Sequence, residues 1–228
     1  MALRAAGRFA AVAALAIVAG AILVATPHAQ SQQQGGSHVV RLFPPSDLGL
    51  LDAPDRDLWQ RPDQIMDALG VADGAVVADI GAGSGWFTIR LARRVGPQGL
   101  VYAEDVQTEM INAISRRVGR EGLNNVRPVL GLKNDPRLPP QSLDAALLVD
   151  AYHEIENRVA VLSNLARALK PQGRIGVVDF RLDGTGPGPS IEERVSPDVV
   201  VKDATEAGLR LIGEEPFLPF QYFLIFSK

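Results

Sequence analysis

Three glycines at alternate positions, Gly81, Gly83 and Gly85, follow an acid, Asp79, at the end of an apolar run. A backbone without Cβ atoms takes left-handed dihedrals easily and lets a ligand come close to the main chain. Twenty residues beyond Gly85, Glu104-Asp105 closes a second apolar run, 100–103. A carboxylate in that place can accept hydrogen bonds from both hydroxyls of a ribose. Asp105 is the first choice, with Glu104 on the other side of the strand end. A third run, 145–149, ends in Asp150-Ala151-Tyr152-His153-Glu154-Ile155. His153 is one of three histidines, and an imidazole titrates near neutrality, so it can serve as a general base. Ordering its own loop, or pairing with Glu154, is the other reading of His153.

Such residues need strands to carry them to one edge and helices to follow them. Val76, Val77 and Ile80 form a β-branched run of the kind found in a buried parallel strand. Beyond the glycines, Phe87, Leu91 and Val95 recur at helical spacing, with Arg90, Arg93 and Arg94 on other faces. Strand, glycine loop and helix make the opening unit of a nucleotide-binding α/β domain, in which ligands bind beyond the carboxyl ends of the strands. Pro62 suits the first position of an earlier helix with Ile65, Met66 and Leu69 on one face and Gly70 as its stop. The pattern further predicts a helix over 109–118 closed by Gly119, a strand over 125–130 and a helix over 159–169. A helix opening at Ser196-Pro197-Asp198 and strands over 209–214 and 222–226 complete the chain.

The glycine spacing separates two kinds of ligand. Dinucleotide-binding dehydrogenases use Gly-x-Gly-x-x-Gly to seat a pyrophosphate on a helix N-terminus. The tighter Gly-x-Gly-x-Gly after Asp79 resembles instead the first motif of the class I S-adenosylmethionine-dependent methyltransferases, Asp/Glu-x-Gly-x-Gly-x-Gly. Asp144 resembles that family's entry to its fourth strand, and the turn Lys170-Pro171-Gln172-Gly173 its entry to the fifth; the resemblance runs over roughly 55–228. It implies an α/β fold: a doubly wound, mostly parallel seven-stranded sheet with a C-terminal antiparallel strand pair and helices on both faces. It implies S-adenosyl-L-methionine as methyl donor, held by Asp79, Gly81, Ala82, Gly83, Gly85 and Trp86, by Asp105 and Val106, and by Asp150. In the family a polar residue after the third strand often meets the adenine amino group. Gly131-Leu132 stands where Gly-Asp is usual, leaving Asn134 or Asp135 for that task. His153, Asp150 and Tyr152 are the candidate catalytic residues. The Asn-Pro-Pro-Tyr signature of amino-group methyltransferases is replaced by Asp150-Ala151-Tyr152-His153, which points to a small-molecule acceptor. Two other readings stay open: a non-catalytic, exported binder of S-adenosylmethionine or a nucleoside, and a nicotinamide-dependent oxidoreductase, against which the glycine spacing argues.

Composition bounds the rest. With 228 residues, 46% of them hydrophobic, the chain suits one α/β domain. A net charge of −3 without a lysine-arginine cluster disfavours nucleic acid as a partner. No cysteine is present, which excludes disulfides, thiolate nucleophiles and cysteine metal sites, and no metal site is expected. Arg4 and Arg8 precede an apolar stretch, 9–25, and then Thr-Pro-His-Ala-Gln. That order reads as a signal peptide over 1–29, with export of the mature chain, or as an uncleaved anchor that would be its only membrane contact. Residues 30–46 read as a polar linker and 47–228 as the catalytic domain. Arg56 and Trp59 are candidates to close a lid over the pocket, or else surface residues. Loop 183–189 is a natural rim for a substrate site.

Overall fold

A computed structural model describes residues 40–228; the expected signal segment and residues 30–39 of the expected linker lie outside the described residues. Residues 40–46 do not trail away as a linker would: a 3₁₀ turn begins at Pro45 and runs to Asp52. Two short helices follow, α1 (Arg56–Gln60) and α2 (Pro62–Leu69), with Pro62 at the first position of α2 and Gly70 ending it in the left-handed region, as its sequence requires. Then come β1 (Val76–Ile80), α3 (Trp86–Val95), β2 (Leu100–Asp105), α4 (Thr108–Arg120) and β3 (Val126–Leu130). The second half holds β4 (Leu143–Val149), α5 (Arg158–Ala168), β5 (Leu169–Phe180), α6 (Pro197–Glu206), β6 (Arg210–Glu214) and β7 (Gln221–Ser227).

The seven strands form one sheet in the order β3-β2-β1-β4-β5-β7-β6. Neighbours from β3 to β5 are parallel, and β7 runs antiparallel to both β5 and β6, as expected of this fold class. Period-two alternation makes each central strand apolar on both faces. On β4, Ala146 and Leu148 join Ile80 and Val177 under Leu162 and Leu165 of α5 and Val200 of α6. Ala145, Leu147 and Val149 face the other way, with Val77 and Phe223, under Ile65 and Leu69 of α2 and Phe87 and Leu91 of α3. The strand order reverses between β1 and β4, so the crevice for a ligand opens above their carboxyl ends.

Two local expectations are corrected. Helix α4 continues through Gly119 to Arg120, and the chain turns at Gly122, whose φ is +64°. A helix interior tolerates glycine, whereas the reversal needs a positive φ. Residues 169–173 belong to the start of β5, with a register shift between Leu143 and Ala145, and do not form a separate turn. Asp144 is structural: its carboxylate accepts from the Val76 amide at 2.9 Å and from Lys170 Nζ at 2.6 Å. Leu147 is fully buried in the middle of the sheet, paired with Asp79 on one side and Gly176 on the other. Leu147→Ala should therefore lower stability by about 2–5 kcal/mol in urea titrations; a loss below about 1 kcal/mol would show that this layer repacks freely.

Candidate active site

A cavity of about 520 Å³ lies over the ends of β1, β2 and β4. Its floor is the glycine loop. Gly81, Gly83 and Gly85 all have positive φ, and a Cβ on Gly81 would come within 2.6 Å of Ala151 Cβ. Glycine there is a demand of close packing between the β1 and β4 exits. Asp105 ties the loop to β2: one carboxylate oxygen accepts from the Gly83 amide at 3.0 Å and the other from the Gln107 amide at 2.9 Å. Each oxygen keeps a second lone pair for a ligand hydroxyl. Asp79 is buried and receives a 2.6 Å hydrogen bond from Thr88 Oγ1 at the start of α3; burial pushes its carboxyl up to about 6 against that bond. Trp86 lines the cavity with the guanidiniums of Arg90 and Arg56 at 3.5 and 4.4 Å from its ring centroid.

Above β4, Asp150 has φ +57° and both of its oxygens are taken. Arg56 Nη2 donates to Oδ2 at 2.9 Å and Gln221 Nε2 donates to Oδ1. Gln221 in turn accepts from Gln60 Nε2 at 2.6 Å, and Gln60 accepts from Arg56 Nε at 3.1 Å. Arg56, Gln60, Gln221 and Asp150 thus close a ring that fastens α1 onto the ends of β4 and β7. Burial raises the Asp150 carboxyl to about 6 in spite of Arg56.

His153 sits beyond Asp150 in a 3₁₀ turn, Tyr152–Glu154. Its Nδ1 lies 2.9 and 3.0 Å from the two oxygens of Asp179, a fully buried residue of β5, which also accepts from the His153 amide at 3.0 Å. Among the described residues Nε2 makes no hydrogen bond, and Glu154 Oε1 lies 3.8 Å away. Burial alone would lower the imidazole pKa, but the charge and hydrogen bond of Asp179 raise it to about 9. In the neutral form the Asp179 contact places the proton on Nδ1 and leaves the Nε2 lone pair outward.

The far end of the cavity is apolar. Trp59 lies 6.2 Å from Phe180 and 6.4 Å from Phe220, ring centre to ring centre. Pro187, Gly188 and Pro189 form the facing wall. That loop is wound round Arg194, whose guanidinium donates to the carbonyls of Arg181, Thr185, Pro187 and Pro189. Across the other end, the Phe43 amide donates to Glu154 Oε2 at 3.0 Å and the Phe43 carbonyl accepts from Gln107 Nε2 at 3.0 Å.

Residues 77–173 match the model of a methyltransferase domain family. A solved S-adenosylmethionine-dependent methyltransferase from Aquifex aeolicus superposes with a TM-score of 0.78 at 29% identity, over 81% of this chain and 98% of that one. Family model, relatives and solved structure alike support a class I S-adenosylmethionine-dependent methyltransferase. Among curated relatives, nocamycin O-methyltransferase of Saccharothrix syringae is 32% identical over 68% of this chain and 58% of its own length. The ubiquinone/menaquinone biosynthesis C-methyltransferase UbiE of Pasteurella multocida is 32% identical over 54% of this chain and 46% of its own. The chain therefore spans about half the length of the curated relatives it matches.

S-adenosylmethionine is this family's cofactor, and the residues present fit it: the glycine loop lines the cavity at Gly81 and Gly83, and a carboxylate with free lone pairs stands beside it. Asp79, Gly81, Ala82, Gly83, Trp86, Asp105 and Val106 all line the cavity, as do Asp150 and His153. Gly85 does not; it caps α3 from below with φ +77°. Three other candidates point elsewhere. Tyr152 is fully buried and donates to Asp203 Oδ2 at 2.9 Å, held in the core between α5 and α6 rather than in the cavity. Asp135 caps the Arg137 amide and Asn134 accepts from Asn164 through its carbonyl, so Leu132, Lys133 and Pro136 face the cavity instead. Arg56 is no surface residue, and Trp59 joins it as part of the enclosure. Sequence reasoning missed Gln60, Gln221 and Asp179; only the place of Asp179 at the end of a parallel strand gave a signal.

A histidine held this way titrates visibly. Its folded pKa lies above the unfolded value of 6.5, so its contribution to stability is complete below 6.5 and lost as pH rises through about 9. Histidine-ring NMR should place the His153 midpoint near 9 and lower it in Asp179→Asn, and the loss of stability between pH 6.5 and 9 should be shallower in that variant. A midpoint near 6.5 in both proteins would contradict the pairing.

Proposed function

We propose that this protein transfers the methyl group of S-adenosylmethionine to a small-molecule acceptor. The observation that carries the reading is Asp105, hydrogen-bonded to the glycine loop across the β1–β2 gap with both oxygens still able to accept from a ribose. When bound, S-adenosylmethionine supplies a methyl carbon already activated by a sulfonium, so the protein's task is alignment. Glycine-loop amides and Asp105 hold the donor. Trp59, Phe180 and the Pro187–Pro189 wall enclose the acceptor and exclude water. Asp150 is a positioning residue, since both oxygens are engaged in fastening α1. His153 is the group that takes a proton from an acceptor hydroxyl at Nε2, with Asp179 orienting the ring and stabilising the imidazolium. As the imidazole is raised to about 9, it works as a base at alkaline pH; below that, the imidazolium instead pairs with an acceptor acidic enough to bind as its anion. Likeness to an O-methyltransferase supports an oxygen acceptor, although the relatives also include C-methyltransferases. Export is part of the proposal, and rests on the order of basic, apolar and small residues over 1–29.

Calorimetric titration with S-adenosylhomocysteine should show micromolar binding to the wild-type protein and a collapse of binding in Asp105→Ala. No binding to either protein would sink the methyltransferase reading. His153→Ala should keep its affinity for S-adenosylhomocysteine but lose about 10²–10⁴ in turnover with phenolic or enolic acceptors, read as S-adenosylhomocysteine release. Unchanged turnover with such acceptors would remove His153 from the chemistry.

A further inference from the structure

One buried acid in the cavity wall has no part in the scheme above. Glu104 closes β2 beside Asp105 but on the opposite face, and only 3% of it is exposed. Its carboxyl lies towards the Gly81 amide at the exit of β1, which favours the ionised form. The same carboxyl reaches across the exit of β3: a Cβ on Gly131 would lie 1.8 Å from Glu104 Oε1. Glu104 therefore fills the space that a side chain at the head of the post-β3 loop would occupy. That loop closes on itself through the Leu132–Asp135 bridge, which presents Leu132, Lys133 and Pro136 to the cavity and turns Asn134 and Asp135 away.

A nucleoside laid along this edge has its direction set. With the amino-acid part on the glycine loop of β1 and the ribose on Asp105 at the end of β2, the base extends towards β3, the next strand in the sheet. The deeply buried polar side chain reaching that end of the cavity is Glu104. We propose that Glu104 reads the nucleobase of the donor, with a carboxyl oxygen accepting from the exocyclic amine of adenine; this rests on the cofactor reading above. The nearby Gly81 amide favours an unprotonated oxygen on its side, which biases the carboxyl towards a base that offers an amine in that position. Burial, and then the neighbouring charge of Asp105, raise Glu104 to about 8, with Asp79 and Asp135 acting in the same direction. At neutral pH the group is then largely protonated, and its hydroxyl can donate to a ring nitrogen while its carbonyl accepts from the amine, a two-point match to adenine.

The test compares S-adenosylhomocysteine with S-inosylhomocysteine, in which a carbonyl replaces the amine, by calorimetry on wild type, Glu104→Gln and Glu104→Leu. Wild type should prefer the adenine compound by about tenfold or more, the scale of one buried hydrogen bond made or left unmatched. Glu104→Gln, which retains an acceptor and a donor, should keep the preference, and Glu104→Leu should lose it while melting as a folded protein. If wild type binds both compounds equally, or Glu104→Leu keeps the preference, Glu104 does not read the base although the cofactor reading stands. If wild type binds neither compound, the cofactor reading itself fails.

Discussion

Four neighbouring strands end, or nearly end, in an aspartate: Asp105 on β2, Asp79 on β1, Asp150 just past β4 and Asp179 on β5. All lie at the same edge of the sheet and all are largely withdrawn from water. A buried carboxylate is costly unless hydrogen bonds or a cation meet it. Each of the four has its own answer. Asp79 has a hydroxyl from α3, Asp105 has two backbone amides, Asp150 has a guanidinium and an amide side chain, and Asp179 has an imidazole. The glycine loop, α1, the 3₁₀ turn after β4 and the start of β7 are where they are because these acids must be satisfied.

The answer found for Asp150 has the widest reach. Helix α1 has only five residues, too few to persist alone, and one flank of it is tied to the sheet by the Arg56–Gln60–Gln221–Asp150 ring. The same Arg56 lies on Trp86, and the same helix carries Trp59 to Phe180 and Phe220. One polar ring therefore holds the Trp86 side and the Trp59 side of the cavity in place together. Residues in such a ring act jointly, and removing one strands its neighbours' hydrogen bonds.

The sheet was legible because it rests on local signals: β-branched runs of strand length, glycine stops and a proline at a helix start. Asp79, the glycine loop and Asp105 were legible because their spacing along the chain is itself the structural constraint. The ring was not, because it joins residues up to 161 positions apart and no local pattern marks Gln60 or Gln221. Tyr152 misled for a related reason: adjacent residues in a 3₁₀ turn point in different directions, so His153 faces the cavity while its neighbour enters the core. Asp135 misled because a polar loop can spend its side chains on its own turns, and Asn134 because it lies outside the cavity lining.

The loop around Arg194 has a different kind of consequence. Every bond that the guanidinium makes there is to a carbonyl of the main chain. Main-chain carbonyls are the same whichever side chains the loop bears, apart from the glycines that its positive φ values require. The path of this wall and the surface it shows to the cavity are therefore under separate control. The cavity-facing residues at 187 and 189 can be exchanged one at a time, changing the shape of this wall while the carbonyl cage around Arg194 keeps its course.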